Sequence, residues 1–513
     1  MSSVQSLNRS IKSLKKRRVA EDEFKKTKLL KRKFLREQII KHDRIDLLMT
    51  QVLGYECKDF HYLMYQHRKH CYAVVGDRKE KSFQKWHLAL APRGGGKTTV
   101  LTISSIILDI IKNRDIRILI ASKTDSNGVA FLAEIKKKMK SKKFIELFGD
   151  LEGPVWNDGE VIVNGRSDNA PKGFTISTVG VGSALASRHF DKIYADDLVD
   201  DTNSITDVQR DKIKTWFFKI LDPTLVPNGE MSIIGTRYHH EDLYGILIDD
   251  IFTKKNKKGK ILKSYYIRIP ALMKKKGVSK KAKAKDKWIS YWPERFSVSF
   301  LLSKKRKQGT IIFNSQYQND TEAMKGKIFR FDWFKWVKPE ELPKMEDMYI
   351  FGGCDLAIKQ SEKNDKFALT TIGVCKKTRN IYILDYYNRV THYRKQKETL
   401  GNRFDRYDHI RIGVESNGYQ LALVEDMRVD EKLQRVRCRP VYTDTDKTVR
   451  AWKLSAYFER GQVYLIEGMH EMQEHLLKLP DGRYKDLFDS LDIAVTTAFG
   501  GKRKKRENEP GVM

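Results

Sequence analysis

The first half of the chain alternates short apolar runs with amphipathic stretches. Buried strands of a parallel sheet are apolar along most of their length, and we expect four of them, at residues 88–91, 116–121, 192–195 and 231–235. Helical spacing of the apolar positions between these runs predicts helices at residues 98–112 and 127–140. Strands that alternate with helices predict an α/β domain built on a parallel sheet.

The pattern changes in the second half of the chain. Three successive strands are expected at residues 348–358, 367–375 and 381–388, with a polar turn between the last two. Further strands at 410–415 and 440–443 alternate with helices that begin at Tyr419 and span 448–460 and 485–499. Three antiparallel strands followed by alternating helices and strands is the order of a ribonuclease-H-like fold, which we therefore predict for this half.

The distribution of charged and apolar positions divides the chain into five segments. Residues 1–42 and 501–513 are rich in lysine and arginine, which predicts a helical or disordered basic N-terminal arm and a basic flexible tail. Between them we expect a first domain at 43–270, a basic loop and closing segment at 271–340, and a second domain at 341–500.

The charge of the whole chain indicates a polyanionic partner. Its 513 residues include 99 lysines and arginines against 66 aspartates and glutamates, a formal net charge of +33. Nucleic acid is the usual partner of so basic a protein, and phosphate contacts would give binding that weakens with salt. A solvated basic surface or a ribosome-associated protein is the alternative.

Cysteine usage and hydropathy indicate the compartment. The five cysteines are scattered without a CxxC pair or a zinc-ligand spacing, as a reducing compartment tolerates. Residues 1–10 have no apolar core that could serve as a signal peptide, and no segment approaches the roughly 20 apolar residues that span a bilayer. We expect a soluble intracellular protein that is neither secreted nor membrane-bound.

A glycine-rich loop at residues 91–98 is the firmest motif. It follows an apolar strand and departs from the GxxxxGK[ST] pattern only at its first position, where Ala91 replaces glycine. Such a loop surrounds phosphates with backbone N–H groups, while Lys97 neutralises the β and γ oxygens and the Thr98 hydroxyl completes a Mg²⁺ shell. A tight turn with glycines for packing is the alternative. The expected ATP contacts are Ala91, Pro92, Arg93, Gly94, Gly95, Gly96, Lys97, Thr98 and Thr99.

Paired acids at the end of a later strand supply the second half of this site. Asp196 and Asp197 follow the apolar run at 192–195, about a hundred residues beyond the loop, as in P-loop enzymes. We expect Asp196 to support the Mg²⁺ ion and Asp197 to polarise the attacking water as the catalytic carboxylate. A helix cap is the alternative interpretation.

Acids on three elements of the second domain form a candidate metal site. Asp355 lies on the first strand, Glu415 ends the fourth, and Asp486 and Asp489 open the last helix on one face. Cutting a phosphodiester with two metal ions needs several converging acids, because the ions clamp the attacking and leaving oxygens. Each acid alone could be a helix cap or a solvated residue.

These features together resemble the large terminase subunit of tailed bacteriophages, a DNA-packaging ATPase and nuclease. Residues 92–99 resemble the arginine-containing Walker A loop of that family, in which Arg93 stands where these motors carry a phosphate-sensing arginine. Residues 233–239 and 242–245 resemble the coupling motif, which implies that Gly235, Thr236 and Arg237 link hydrolysis to movement.

The resemblance extends over most of the chain, from about residue 60 to residue 499. Residues 291–296 and 313–317 resemble the segment that closes the ATPase region. Adenine contacts are expected ahead of the loop, where Phe60, His61, Tyr65 and Gln66 are the candidates. A helix that packs on the ATPase core is an equal alternative for that segment.

The sequence departs from the family pattern at several positions. The paired acids read Asp-Asp where many relatives have Asp-Glu, which bears on the role of Asp197. The family shows His-Asp-Asp where this chain has Tyr484-Lys485-Asp486, so the third nuclease ligand stays open between Asp486 and Asp489. The further acids near the first hairpin, each a ligand candidate or a surface charge, are Asp365 and Asp385. The basic arm before Asp43 also lies outside the common pattern.

The resemblance implies a P-loop (ASCE-type) ATPase domain followed by a ribonuclease-H-like nuclease domain. ATP hydrolysis with Mg²⁺ would translocate double-stranded DNA into the prohead, and two Mg²⁺ or Mn²⁺ ions would serve the cleavage of concatemeric DNA. The implied partners are the portal protein, the small terminase subunit and further copies in a ring, expected to be a pentamer, in the host cytoplasm. The implied catalytic residues are Arg93, Lys97, Asp197, Asp355, Glu415 and Asp486, and the implied metal ligands are Thr98, Asp196, Asp355, Glu415, Asp486 and Asp489.

Two other functions share some of these features. A helicase–nuclease of DNA repair or recombination would have the same loop, acids and charge, but the coupling motif and the closing segment argue against it. A basic DNA-binding protein with a degenerate loop would turn over no ATP.

Overall fold

The computed structural model divides the chain into two compact units, Met1–Leu301 with Ser315–Asp320 and Leu302–Asn314 with Thr321–Met513. The structure describes residues 29–77, 82–185, 188–204, 206–256, 260–275, 277–279, 283–324, 326–356, 366–415, 420–442, 445–480 and 486–500. Most of the predicted basic arm and the predicted tail lie outside these residues.

The first unit contains a nine-stranded sheet and two short hairpins. Its strands are β1 (Ala73–Asp77), β2 (Ser82–Leu90), β3 (Ile118–Ser122), β4 (Glu152–Trp156), β5 (Glu160–Val163), β6 (Ile176–Gly180), β7 (Phe190–Asp196), β8 (Leu225–Gly235), β9 (Thr253–Lys255), β10 (Ile261–Ser264), β11 (Tyr266–Arg268), β12 (Leu272–Lys274) and β13 (Trp288–Ser290). The sheet order is β1-β2-β8-β7-β3-β6-β5-β4, with β11 also paired to β2, while β9 pairs with β10 and β12 with β13.

The centre of the sheet is parallel and buried on both faces. Strands β2, β8, β7, β3 and β6 pair in parallel, and all five residues of β3 are buried. This is why the corresponding sequence runs are apolar without alternation. Strand β8 is inserted between the strand before the glycine-rich loop and the strand before the paired acids, as expected for an ASCE-type ATPase.

Helices cover both faces of this sheet. They are α1 (residues 29–41), α2 (Ile45–Leu47), α3 (Asp59–His70), α4 (Ser105–Lys112), α5 (Asp125–Met139), α6 (Lys142–Phe148), α7 (Asp207–Trp216) and α8 (Leu243–Leu247). Four helices continue into or begin with π-helical turns. These turns are Leu48–Leu53 after α2, Thr98–Ser104 before α4, Phe217–Leu221 after α7 and Ile248–Phe252 after α8. Thr206 and Gln209 form a capping box at the start of α7, which satisfies backbone N–H groups that the helix leaves unpaired.

The chain passes between the two units within α9 (Val298–Gln308) and α10 (Thr310–Gln318). Single helical turns occur at Asp222–Thr224, Ala284–Lys287, Glu322–Met324, Phe331–Trp333, Pro339–Glu341 and Met345–Asp347. At the start of the segment 271–340, expected to include a basic loop, β12 pairs with β13, and the single turn Ala284–Lys287 directly precedes β13.

The second unit is a seven-stranded mixed sheet with helices on both faces. Its strands are β14 (Lys335–Val337), β15 (Met348–Asp355), β16 (Phe367–Cys375), β17 (Ile381–Arg389), β18 (Arg411–Glu415), β19 (Cys438–Val441) and β20 (Val463–Ile466). Its helices are α11 (Tyr393–Tyr407), α12 (Gln420–Val429), α13 (Lys447–Glu459), α14 (His470–Leu477) and α15 (Asp486–Phe499).

The strand order confirms the predicted ribonuclease-H-like fold. Strands β15, β16 and β17 are antiparallel neighbours, and β18 and β19 follow in parallel beside β15, in the order β14-β20-β17-β16-β15-β18-β19. The mixed α/β class of both units is as predicted. No helix among the described residues is both long and apolar enough to cross a membrane.

Two glycines let α15 lie directly on the centre of this sheet. A Cβ atom at Gly353 of β15 would collide with the Ser490 carbonyl and the Ala494 backbone of α15. A Cβ atom at Gly413 of β18 would collide with the Thr497 hydroxyl of the same helix. The close approach brings the start of α15 beside the ends of both strands, where the predicted acids lie.

Candidate active sites

The glycine-rich loop connects β2 to the helical turn at Thr98–Ser104. Gly94 and Gly96 have φ values of +73° and +71°, in the left-handed region that favours glycine. A Cβ atom at Gly96 would lie 2.7 Å from His61 Nε2. The loop therefore needs glycine at both positions for its conformation and at Gly96 for the close approach of a neighbouring side chain.

The paired acids lie beside the loop lysine. Lys97 is 7% exposed, and its Nζ atom is 3.1 Å from Asp197 Oδ2. Asp197 has a φ of +50°, a rare backbone conformation outside glycine that turns the chain sharply after β7. An ion pair of this kind is what a phosphate group would replace, because phosphate oxygens compete for the same ammonium group.

Asp196 is fully buried under the loop. Thr102 Oγ1 donates a hydrogen bond of 2.6 Å to its Oδ2 atom, and among the described residues nothing hydrogen-bonds Oδ1. Burial and the charge of Asp197 raise the pKa of Asp196, against the opposing effect of Lys97 and the Thr98 hydroxyl. A buried carboxylate oxygen left open beside a threonine hydroxyl fits a Mg²⁺ ion, which prefers oxygen ligands.

Arg93 is exposed within the loop. Burial raises the pKa of the Tyr238 hydroxyl, and the charge of Arg93 opposes this rise, so the two side chains lie near one another. Tyr238 belongs to the segment that resembles the coupling motif, so the charge of Arg93 in the loop is felt in that segment.

The end of β8 contacts both halves of this site. The Ala91 N–H donates to the Gly235 carbonyl at 3.2 Å, and Thr236 Oγ1 donates to the Ala91 carbonyl at 3.1 Å. The Asp197 N–H donates to the Ile234 carbonyl at 2.9 Å. One strand end is therefore hydrogen-bonded to the first residue of the loop and to the second of the paired acids.

Arg237 is held in place by buried hydrogen bonds. Its Nε lies 2.9 Å from Asp242 Oδ1, and its Nη2 donates to the carbonyls of His239 and His240 at 3.1 Å. Asp242 is fully buried and also caps α8 by accepting from the Gly245 N–H at 2.8 Å. Asp242 was not among the predicted site residues, although its position five residues after Arg237 is a spacing that allows a local ion pair.

His61 contacts the glycine-rich loop, a role that the sequence did not predict for it. It was a candidate for adenine contact, but its Nε2 lies 2.9 Å from the Gly95 carbonyl, and its Nδ1 accepts from the Lys58 N–H at 3.1 Å. The Phe60 ring lies 5.1 Å from Tyr291 and 5.6 Å from Trp292 between ring centres. Helix α3 therefore supports the loop and joins it to the closing segment.

The other two adenine candidates lie further along α3. Tyr65 is buried and lines a cavity that also includes His87 and Arg68, while Gln66 is half-buried. Phe60 and His61 thus lie near the glycine-rich loop, whereas Tyr65 lines a cavity elsewhere in the first unit.

In the second unit, the predicted acids converge at one edge of the sheet. Asp355 ends β15, Glu415 ends the parallel neighbour β18, and Asp486 begins α15 with Asp489 one turn later. Burial raises the pKa of Asp355 well above its usual range, and the charges of Asp489, Glu415 and Asp486 raise it further. Divalent cations fit such a set, because they remove the repulsion among carboxylates that approach one another.

Basic side chains of α13 bind one of these acids. Asp489 is 4% exposed and forms ion pairs with Lys447 and, at 2.8 Å, with Arg450. Arg450 also bridges to Asp492, again at 2.8 Å. Burial raises the pKa of Asp489, and Lys447 is the strongest opposing influence. Neither Lys447 nor Arg450 was predicted. The two are three residues apart in the sequence, as are their partners Asp489 and Asp492.

The remaining candidates lie elsewhere or outside the described residues. Asp385 forms an ion pair of 2.5 Å with Arg403 of α11. Asp365, Tyr484 and Lys485 fall outside the residues that the structure describes. Asp355, Glu415, Asp486 and Asp489 are therefore the predicted acids that the structure brings together.

Comparison with known proteins identifies the second unit. Residues 352–494 match the family model of the terminase RNaseH-like domain. No curated protein matches the sequence. The part of the chain that matches begins within β15 and ends within α15, and so includes all four converging acids.

The solved structures that match the chain include terminases. The large terminase of a thermophilic bacteriophage, in complex with ADP, is 10% identical, with a TM-score of 0.45, and covers 87% of this chain and 100% of its own. The zinc-bound large terminase nuclease of the thermophilic phage G20c is 19% identical, with a TM-score of 0.25, and covers 33% of this chain and 97% of its own. Similarity at these TM-scores carries no argument by itself, and the family match is what identifies the domain. Residues 352–494 of the second unit are therefore similar to the terminase RNaseH-like domain, in agreement with the predicted resemblance to the large terminase subunit.

Proposed function

We propose that this chain is the large subunit of a viral DNA-packaging motor, which hydrolyses ATP to translocate double-stranded DNA into a prohead and cuts concatemeric DNA. The observation that carries the proposal is the presence of two chemically different sites in one chain. One is a glycine-rich loop whose lysine pairs with Asp197, and the other is a set of four converging acids in a terminase RNaseH-like domain.

In the ATPase unit, Lys97 exchanges Asp197 for the β and γ oxygens of ATP. The released Asp197 carboxylate then accepts a proton from the attacking water, while Arg93 approaches the γ-phosphate from the exposed side of the loop. Thr98 and Asp196 are the residues that would hold Mg²⁺, which would neutralise charge on the phosphates. The Lys97–Asp197 distance of 3.1 Å supports this exchange, because both groups already occupy one small volume.

The end of β8 transmits the state of the ATP site. Thr236 and Gly235 are hydrogen-bonded to Ala91, and Ile234 is hydrogen-bonded to Asp197, so a shift of either partner displaces the same strand end. Arg237 is bound to Asp242 at the start of α8, and it extends the connection to that helix. These bonds support the coupling role of Gly235, Thr236 and Arg237.

In the nuclease unit, Asp355, Glu415 and Asp486 would hold two Mg²⁺ or Mn²⁺ ions. Such ions would supply an activated water and stabilise the leaving oxygen of the phosphodiester. We assign Asp489 to the same centre, where it forms ion pairs with Lys447 and Arg450. Because these cations also lie beside the acids, they are available to attract the DNA backbone.

The proposed partners follow from this function. A net charge of +33 supports sequence-independent binding of double-stranded DNA through phosphates. The portal protein, the small terminase subunit and further copies of the chain in a pentameric ring complete the proposed assembly, in the host cytoplasm.

The experiment that tests the function measures DNA protection. Purified protein is mixed with proheads, DNA and ATP, and the DNA that resists added nuclease is quantified. We expect ATP-dependent protection of long duplex DNA. Strand separation without protection would instead indicate a helicase–nuclease, and a protein that binds DNA but turns over no ATP would be the non-enzymatic alternative.

A further inference from the structure

The first unit has a second cavity, away from the glycine-rich loop. Its volume is about 270 Å³, and it lies at the beginnings of the parallel strands, where Lys85 of β2, Lys192 of β7 and Glu230 of β8 are located. The glycine-rich loop follows the opposite end of β2, after Leu90. The cavity is therefore separate from the ATP site described above.

Cations outnumber anions around this cavity. Five cationic side chains and three carboxylates line it, a surplus of two positive charges. The cations are Arg68, Lys69, Lys85, Lys112 and Lys192, and the carboxylates are Asp43, Asp109 and Glu230.

Each carboxylate is shared by two cations. Lys192 lies 2.9 Å from Asp109 and 3.0 Å from Glu230, so it joins two of the carboxylates. Arg68 completes one end of this chain at 3.5 Å from Asp109, and Lys85 completes the other at 3.8 Å from Glu230.

The third carboxylate is shared in the same way. Asp43 forms ion pairs with Lys69 and Lys112. Each series of ion pairs therefore ends in a cation at both ends. The carboxylates do not balance the positive charge around them.

A buried histidine provides a donor or acceptor that is not yet used. His87 is 2% exposed, and its Nε2 lies 3.2 Å from His67 Nδ1. Among the described residues, nothing hydrogen-bonds the other ring nitrogen, Nδ1. Burying such a nitrogen without a partner is unfavourable, and a ligand in the cavity that hydrogen-bonds it would remove this cost.

We propose that this cavity binds a phosphate group. The lysines on its rim supply the surplus charge, and His87, in the tautomer with the proton on Nδ1, donates a hydrogen bond from the cavity wall. The Ser232 hydroxyl also lines the cavity and offers a second donor. A volume of about 270 Å³ accommodates a phosphate group together with several waters, each of which takes about 30 Å³.

The phosphate group could come from free orthophosphate or from a phosphodiester of duplex DNA. The two sources share the same chemistry at the site, because both present anionic oxygens to lysines and N–H donors. A long duplex reaches the cavity only through its rim, where Lys85 and Lys112 keep about a third of their side chains exposed, at 34% and 31%.

The test is binding of radiolabelled orthophosphate to the full chain, with the ATP site filled by a non-hydrolysable ATP analogue and Mg²⁺. We expect saturable binding that is at least fivefold weaker in Lys85→Gln, Lys112→Gln and His87→Leu. The ion pair of Lys85 with Glu230 is long, at 3.8 Å, so replacement of Lys85 costs little stability and the variant remains informative if His87→Leu folds poorly. Lys136→Gln on α5 is the matched control, since Lys136 pairs with exposed Asp158 and lies outside the cavity.

A competition arm then separates the two sources. If a short duplex displaces orthophosphate and binds more weakly to Lys85→Gln, the phosphodiester of DNA is the occupant. If the duplex leaves orthophosphate bound, the free ion is the occupant, and both results support the site. Absence of saturable orthophosphate binding, or equal binding by the cavity variants and Lys136→Gln, would overturn the proposal.

Discussion

At the scale of single residues, the ATP site depends on the ion pair between Lys97 and Asp197. Their atoms lie 3.1 Å apart, although each has a different task once ATP is bound. In the proposed mechanism, Lys97 binds phosphate in the ground state and the transition state, whereas Asp197 acts on the attacking water. Variants of the two residues should therefore differ in their affinity for ATP, whereas both should impair ATP turnover.

We predict that Lys97→Ala weakens ATP binding and abolishes turnover, while Asp197→Asn retains binding and lowers turnover by about 10²–10⁴-fold, the usual contribution of a catalytic base. Fluorescent nucleotide binding and phosphate release measure the two properties separately. Lys136→Ala serves as the control for loss of a lysine in the same unit. Normal turnover by Asp197→Asn would assign the base elsewhere.

The sequence predicts site residues most directly where the motif that contains them is short and continuous. Lys97, Thr98 and the two acids were predicted because spacing along one strand and one loop determines their positions. The contacts of His61 with Gly95 and of Arg450 with Asp489 join residues 34 and 39 positions apart. No local pattern encodes such pairs, since they depend on how helices pack.

At the scale of elements, the end of β8 and the helix α15 position the two sites. The first does so through hydrogen bonds to the loop and to the paired acids. The second does so by lying directly on Gly353 and Gly413, which brings its first turn beside β15 and β18. Both arrangements lead to predictions that leave the catalytic side chains unchanged.

We predict that Thr236→Val uncouples the ATP site from DNA. The variant loses the hydrogen bond of 3.1 Å to the Ala91 carbonyl, which contributes about 1 kcal/mol to stability, but it keeps the volume of the side chain. ATP binding should persist, and stimulation of ATP turnover by DNA should fall severalfold. Thr202→Val, at an exposed position, is the control, and unchanged stimulation in Thr236→Val would exclude the proposed connection.

We predict that Gly353→Val lowers the free energy of unfolding of the second unit by about 1–3 kcal/mol and abolishes DNA cleavage. The added side chain collides with the backbone of α15 at Ser490 and Ala494, so it moves the acids on that helix. Gly326→Ala is the control, because a Cβ atom at Gly326 meets nothing within 4 Å. Denaturant unfolding and a cleavage assay report the two effects, and wild-type cleavage by Gly353→Val would contradict the packing argument.

The elements that the sequence predicted best are continuous apolar strands with polar boundaries. The strand expected at 367–375 is Phe367–Cys375, and every one of its residues is buried. Strands β4 and β5 were not predicted, since they are short, antiparallel and only partly buried at the edge of the sheet. Strand β14 was missed because three residues carry no detectable period.

At the scale of the whole molecule, the proposed interaction with DNA rests on charge. The chain carries a surplus of 33 positive charges, although both proposed sites contain clustered acids. Phosphate contacts carry no sequence information, so affinity should depend on salt and hardly on sequence.

We predict that two unrelated duplexes of equal length bind with the same affinity and the same salt dependence. The slope of log K against log salt concentration should be about −0.9 for each phosphate neutralised, and several phosphates should be involved. Fluorescence anisotropy at four or more salt concentrations measures the slope. A marked preference for one duplex at high salt would indicate base recognition instead.

The central claim is that one chain drives DNA movement and cuts DNA with separate sites. The most direct measurement uses linear DNA, which needs no cut before it is packaged, and compares Asp355→Asn with Lys97→Ala in the presence of proheads and ATP. The account predicts that Asp355→Asn protects linear DNA as the wild type does but cuts no concatemer, and that Lys97→Ala protects none. Loss of protection by a well-folded Asp355→Asn, or protection by Lys97→Ala, would contradict it.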